Sequence, residues 1–147
     1  MNAVITWLDG LFGKLPVLPD NLRTLFRQLL PWAITIGSAL LILTLAAALG
    51  ILSAGFVLVP MAFYAAGPLS MVDLYILSPL GAILGLLGGI GMIRGRAKGW
   101  EFAVYAELLF AISGIVTMSL GSIIAHLIGL WLLFQIRPYF SADQTPA

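Results

Sequence analysis

After residue 30 the polar residues are sparse and unevenly spread, leaving apolar stretches over about 31–51, 72–93, 100–118 and 120–136. Each approaches the roughly 20 residues that a helix needs to cross a hydrocarbon core of about 30 Å. The first opens at Pro31, a tolerated first-turn position, with Trp32 beside it as an interfacial anchor. The fourth enters after the tight turn "SLGS", centred near residue 120. Between the first two spans, "LSAGFVLVPMAFYAAGPLSM" is apolar but broken by Pro60, Gly67 and Pro68. Extending span one to Phe63 would give a helix of about 50 Å, longer than the membrane needs. The segment therefore reads as a loop or short helix at the outer interface.

Ahead of the spans, residues 3–13 are apolar but too short to cross, and Gly10 and Gly13 weaken them as a helix. "KLPVLPD" follows as an extended linker. In "DNLRTLFRQLL", Asp20 or Asn21 can cap a helix whose Leu22, Leu25, Phe26 and Leu29 form one stripe, with Arg23, Arg27 and Gln28 off it. Such a helix is expected to lie in the headgroup plane. The fold class is all-α: a polytopic membrane protein of four transmembrane helices preceded by an amphipathic interfacial helix. The organisation is an N-terminal region over 1–30, a four-span bundle over 31–140 and a tail over 141–147.

Composition agrees with this pattern. Of 147 residues 61% are hydrophobic and 9% charged, where a soluble domain carries roughly 25% charged residues. The absence of cysteine excludes disulfides and thiolate chemistry, and the single histidine excludes any one-chain site needing two imidazoles. No basic region follows Met1, so residues 1–15 do not read as a cleaved signal peptide. The net charge of +1 gives no argument for nucleic acid; the expected surroundings are the lipid bilayer and a homo-oligomer or larger membrane complex.

The distribution of charge says more. Every Lys and Arg lies before span one (Lys14, Arg23, Arg27), between spans two and three (Arg94, Arg96, Lys98) or after span four (Arg137). With four spans these places share one side of the membrane, which by the positive-inside rule makes both termini cytoplasmic.

The stretches "GKLPVLPDNLRTLFRQLLPW" and "RAKGWEFAVYAELLFAISGIVTMSLGSIIAHLIGLWLLFQIRPYF" resemble a group of small bacterial integral membrane proteins. The shared features are a Pro-rich amphipathic entry, a KGW-type start to a closing hairpin and an FQIR-x-Y/F exit. The resemblance implies a four-helix fold and the bacterial inner membrane, and it implies no activity.

Few residues could carry chemistry. Gly81, Gly85 and Gly89 repeat every four residues in span two, answered by Gly121, Ala125 and Gly129 in span four and by Ala46, Gly50 and Ala54 in span one. Such a glycine zipper lets helix backbones approach closely, within the monomer or at an oligomer seam. Pro79, near the entry of span two, reads as a kink.

Glu107 interrupts an otherwise apolar span, and Ala103, Ala111 and Gly114 on its face are small, so that face should turn inward. An intramembrane acid is a functional candidate, against the plainer reading of a hydrogen bond between helices. His126 is its natural partner, but a turn near residue 120 sets the two about 10 Å apart in depth, so no direct contact is expected. His126 then reads as bonded to a neighbouring helix rather than as a ligand for haem, chlorophyll or a metal, and no cofactor is expected.

The remaining cations, Arg23, Arg27, Arg94, Arg96, Lys98 and Arg137, read as headgroup contacts. Ser38, Thr35, Thr44, Ser113 and Thr117 have no base triad within reach, so no enzyme is expected. The leading functional expectation is a non-enzymatic structural or accessory subunit. The alternative is a small oligomeric proton- or cation-coupled transporter or channel using Glu107, which a water-accessible cavity at that residue would favour.

Overall fold

The computed structural model describes residues 3–48 and 68–140, and within these the regular secondary structure is all helical. Helix α1 covers Ala3–Phe12, α2 Asp20–Ala48, α3 Leu69–Ile93, α4 Ala97–Val116 and α5 Leu120–Ile136, the last followed by a 3₁₀ turn over Arg137–Tyr139. The helices α2 to α5 are each long and apolar enough to cross a membrane, and α1 is a short apolar helix. The expected loop between spans one and two falls mainly on residues 49–67, outside the described residues.

Two local expectations change. The separate interfacial helix does not end at Pro31, because Asp20–Ala48 is one helix with that proline inside it. An interior proline costs about 3 kcal/mol in isolation. Here packing on both sides of Pro31 opposes a break: Phe26, Leu30 and Ile34 lie against the core. At 1.5 Å per residue α2 is about 43 Å long, so its first turns extend beyond a hydrocarbon core of about 30 Å. Residues 3–12, in contrast, do form a helix, which buries Ile5, Leu8 and Phe12. Phe12 stacks on Phe134, with ring centroids 5.3 Å apart.

Pro79 also acts locally. Without an N–H it cannot bond the carbonyl four residues back, and the preceding turn, Asp73–Leu77, is widened to a π-helix in which the Ser78 N–H donates to Asp73 O. The Ser78 hydroxyl further donates to the Asp73 carboxylate at 3.0 Å.

The glycines of α3 serve two neighbours. A β-carbon on Gly88 would stand 2.6 Å from the backbone nitrogen of Ala103 in α4, and one on Gly91 would stand 2.6 Å from the Gly99 α-carbon. Gly85 and Gly89 instead face α2 at Ser38 and Thr35, and Gly81 meets the Phe110 ring. The α3–α4 connection closes at Gly95, whose φ of +67° suits glycine, with the Arg96 N–H donating back to Gly91 O at 2.9 Å.

The α4–α5 connection uses the same geometry without a glycine. Met118 holds φ +54°, and the Ser119 N–H donates to Gly114 O at 2.8 Å. The left-handed region costs a residue with a β-carbon roughly 1 kcal/mol. Met118 is 87% exposed, so its side chain contributes little packing to lose. Met118→Gly is therefore expected to stabilise the bundle by about 0.5–1 kcal/mol, read as a raised thermal midpoint in detergent; an unchanged or lowered midpoint would contradict this account of the turn.

One end of the bundle gathers the basic residues. The Arg23 guanidinium donates to Gln135 O at 3.1 Å, and Gln135 also accepts from Leu18 N–H at 3.1 Å. Arg137 pairs with Asp9 and lies over the Trp100 ring, and Arg27 lies over Tyr139. The buried core at this end joins α1, Met92, Trp100, Val104, Leu130 and Leu133, and Trp100 Nε1–H donates to Leu133 O at 2.7 Å. A smaller cluster of Leu45, Leu74 and Ala82 closes α2 onto α3 at the other end.

Candidate functional site

Glu107 sits at the middle of α4. Its helix face is small as expected, with Ala103 and Ala111 buried and Gly114 buried beside them. The carboxylate points at α5, where a β-carbon on Gly129 would stand 2.8 Å from Oε2. The glycine leaves the space that the carboxylate fills.

His126 receives it directly: Nδ1 and Oε2 are 2.7 Å apart. This corrects the expected separation. The chain turns at Thr117–Ser119, with Met118 in the left-handed position, so α5 already begins at Leu120 and Gly121 lies inside it. Measured from Met118, Glu107 is eleven residues before the turn and His126 eight after it. The depth offset falls to about 4.5 Å at helical rise, which the glutamate side chain can span.

The hydrogen bond holds one proton between two sites. That proton is either on the imidazole facing a carboxylate or on the acid facing a neutral imidazole. Both side chains are partly buried. The imidazole stacks on Phe110, with centroids 5.2 Å apart and an interplanar angle of 29°.

Above the pair lies a cavity of about 400 Å³. The helices α2 and α5 meet toward the basic end, where Arg23 bonds Gln135 O, and Leu30 and Ile34 reach the core that contains Leu130. Further along, α2 closes instead onto α3 through Leu41, Leu45 and Ala82, while α5 stays on α4, with Ile123 against Gly114. The two helices part there, and the space between them exposes Glu107, His126 and Phe110 below Ser38, Ile34 and Leu41 of α2. Its volume falls within the 300–1,000 Å³ of small-molecule sites.

The other sequence candidates divide. Gly81, Gly85 and Gly89 contact neighbouring helices and Gly129 contacts Glu107, whereas Gly121 has nothing near a would-be β-carbon. Gly121 and Ala125 are exposed and so make no close helix contact among the described residues, which leaves of their two expected places the oligomer seam. In α2 the close approach to α3 comes from Thr35 and Ser38; Gly50 and Ala54 lie outside the described residues.

Among the cations, Arg94, Arg96 and Lys98 are exposed. Arg23 and Arg137 are partly buried and engaged with protein groups. Sequence reasoning missed Phe110 and the cavity role of Ser38. Phe110 is one helical turn from Glu107, a spacing that could have flagged it.

Four long apolar helices around a partly buried acid–imidazole pair define a small integral, multi-pass membrane protein. No family model, curated protein or solved structure matches the chain, so its function is argued from the site.

Proposed function

We propose that the chain is a small, non-enzymatic, proton-coupled membrane transporter in which Glu107 and His126 carry the exchangeable proton. The observation that supports this reading is their 2.7 Å hydrogen bond at the floor of a cavity of about 400 Å³. An acid buried only for packing needs no adjoining space, whereas a carrier needs its titrating group open to a solute. The test is performed in liposomes holding a pH-sensitive dye. Solutes of differing charge are added, and the parent chain is expected to move protons with at least one of them. Glu107→Gln, which keeps the shape but cannot release a proton, is expected to assemble and to abolish that movement. Equal proton movement by the parent and an assembled Gln variant would end the reading.

A second reading, a structural or accessory subunit packing with itself or a larger membrane complex, draws on the outward face of α5. There Gly121 and Ala125 lie exposed beside the exposed Ile124 and Ile128, a flat strip to which another helix could pack. Its mark would be a stable oligomer or complex in lipid nanodiscs that Ala125→Leu disperses.

The proposal includes both termini in the cytoplasm of a bacterial inner membrane, supported by all seven Lys and Arg preceding α2's apolar span, flanking the α3–α4 turn or following α5. Since the chain has no cysteine, single cysteines report cleanly. Ala97→Cys is expected to be shielded from an impermeant thiol reagent in intact cells, and Leu120→Cys, at an exposed position, to react. The opposite pattern would invert the orientation.

A further inference from the structure

We infer that the solute is a lipophilic organic monocation, which enters sideways from the bilayer and displaces the proton held by Glu107 and His126; this rests on the transport reading and names its substrate class. Three features of the cavity select such a ligand.

Its wall is largely aliphatic, and it lies between α2 and the α4–α5 pair. A solute already dissolved in the membrane reaches it without crossing water.

Its charge balance has one sign available. Among the described residues, the faces meeting the pair from α2 and α3 contribute Ser38 and Gly85 and no titratable group, and α5 contributes His126 alone. The lysines and arginines belong to the end where Arg23 bonds Gln135 O. A bound anion would have only an imidazole as counter-charge, with the Glu107 oxygen already 2.7 Å from it. A cation meets a carboxylate, the Ser38 hydroxyl oxygen and the Phe110 ring, whose face attracts positive charge.

The proton follows from electroneutrality. In the state that carries the exchangeable proton, an imidazolium facing a carboxylate or a neutral imidazole facing the acid, the pair is neutral overall. A cation joining it would leave one uncompensated charge at membrane depth, which is costly. Releasing the proton to water at the cavity and on to the aqueous phase removes that charge: one cation enters, one proton leaves, and no covalent bond to carbon changes.

The test uses three probes with one tail and different heads: octyltrimethylammonium, octyl sulfate and octanol. Binding to the full chain in lipid nanodiscs is measured by calorimetry in two buffers of different protonation enthalpy, which counts protons exchanged. Octyltrimethylammonium is expected to bind saturably with release of up to one proton, and its affinity to rise by up to about tenfold per pH unit while the pair holds that proton. Glu107→Gln is expected to lose cation affinity by about tenfold or more and the part of its pH dependence that comes from the carboxylate, with octanol binding far less affected. Tighter binding of octyl sulfate, or ammonium binding without proton release, overturns the inference; both are read on the unmodified chain and so do not depend on the variant assembling. Ammonium binding with proton release but no ammonium-driven pH change in liposomes supports the inference and removes the transport reading. Proton movement driven by another solute, with no ammonium binding, overturns the inference and leaves transport standing.

Discussion

Gly88→Leu is expected to destabilise the bundle by about 3 kcal/mol or more, at the upper end of what overpacking costs. The reason is the identity of the atoms it would meet. A β-carbon at Gly88 would stand 2.6 Å from the Ala103 nitrogen and 2.9 Å from its α-carbon. Both belong to the backbone of α4 and cannot rotate away, so the two helices must separate along their length. At Gly85 the obstacle is the Ser38 hydroxyl, the end of a side chain, and the same substitution should cost less there. Leu87 is 50% exposed, and Leu87→Ala should be nearly neutral. Thermal unfolding of the three variants in one detergent gives the comparison. Equal midpoints for Gly88→Leu and Leu87→Ala would show that α3 and α4 do not meet at this surface.

That contact shows where the sequence was sufficient and where it was not. Glycine density in span two announced close approach, and Glu107 among Ala103, Ala111 and Gly114 announced an inward face. Hydropathy located four spans, because a helix in lipid must satisfy its backbone internally and present apolar side chains outward. Partner assignment was harder, since spacing by four residues does not say which helix fills a groove. Gly85 and Gly89 meet α2 and Gly88 meets α4, while the matching spacing of Gly121 and Ala125 faces outward. The pairing of Glu107 with His126 turned on one residue. Glycine usually marks the left-handed cap of a helix, so "SLGS" drew the turn toward Gly121. The cap is Met118, and a shift of two residues changes the depth offset from about 10 Å to about 4.5 Å. The break expected at Pro31 failed for a related reason, because local propensity is a weak prior where tertiary packing holds both sides of a helix.

Glu107→Asp separates the presence of an acid from its contact with His126. The shorter side chain keeps a carboxyl group but withdraws it by about 1.5 Å, one carbon–carbon bond. From 2.7 Å the gap to Nδ1 then exceeds hydrogen-bond range unless a water enters from the cavity. The strain of folding should be small, since Gly129 loses a neighbour rather than gaining one. Stability is expected to fall by about 1 kcal/mol, near that of Glu107→Ala, whose loss of the interhelical bond costs about 1–2 kcal/mol. Function should divide the variants differently. If the proton passes through the direct contact, Asp lowers solute-driven proton movement by about tenfold or more, the scale on which misplaced proton donors lose effect, and Gln abolishes it. If the carboxyl group alone binds the solute and exchanges the proton with water, Asp stays close to the parent and only Gln fails. His126→Gln decides between these routes, because it leaves Glu107 intact while removing the imidazole. Wild-type proton movement by His126→Gln would confine the coupling to Glu107, and wild-type movement by Glu107→Asp and Glu107→Gln alike would remove the pair from transport altogether.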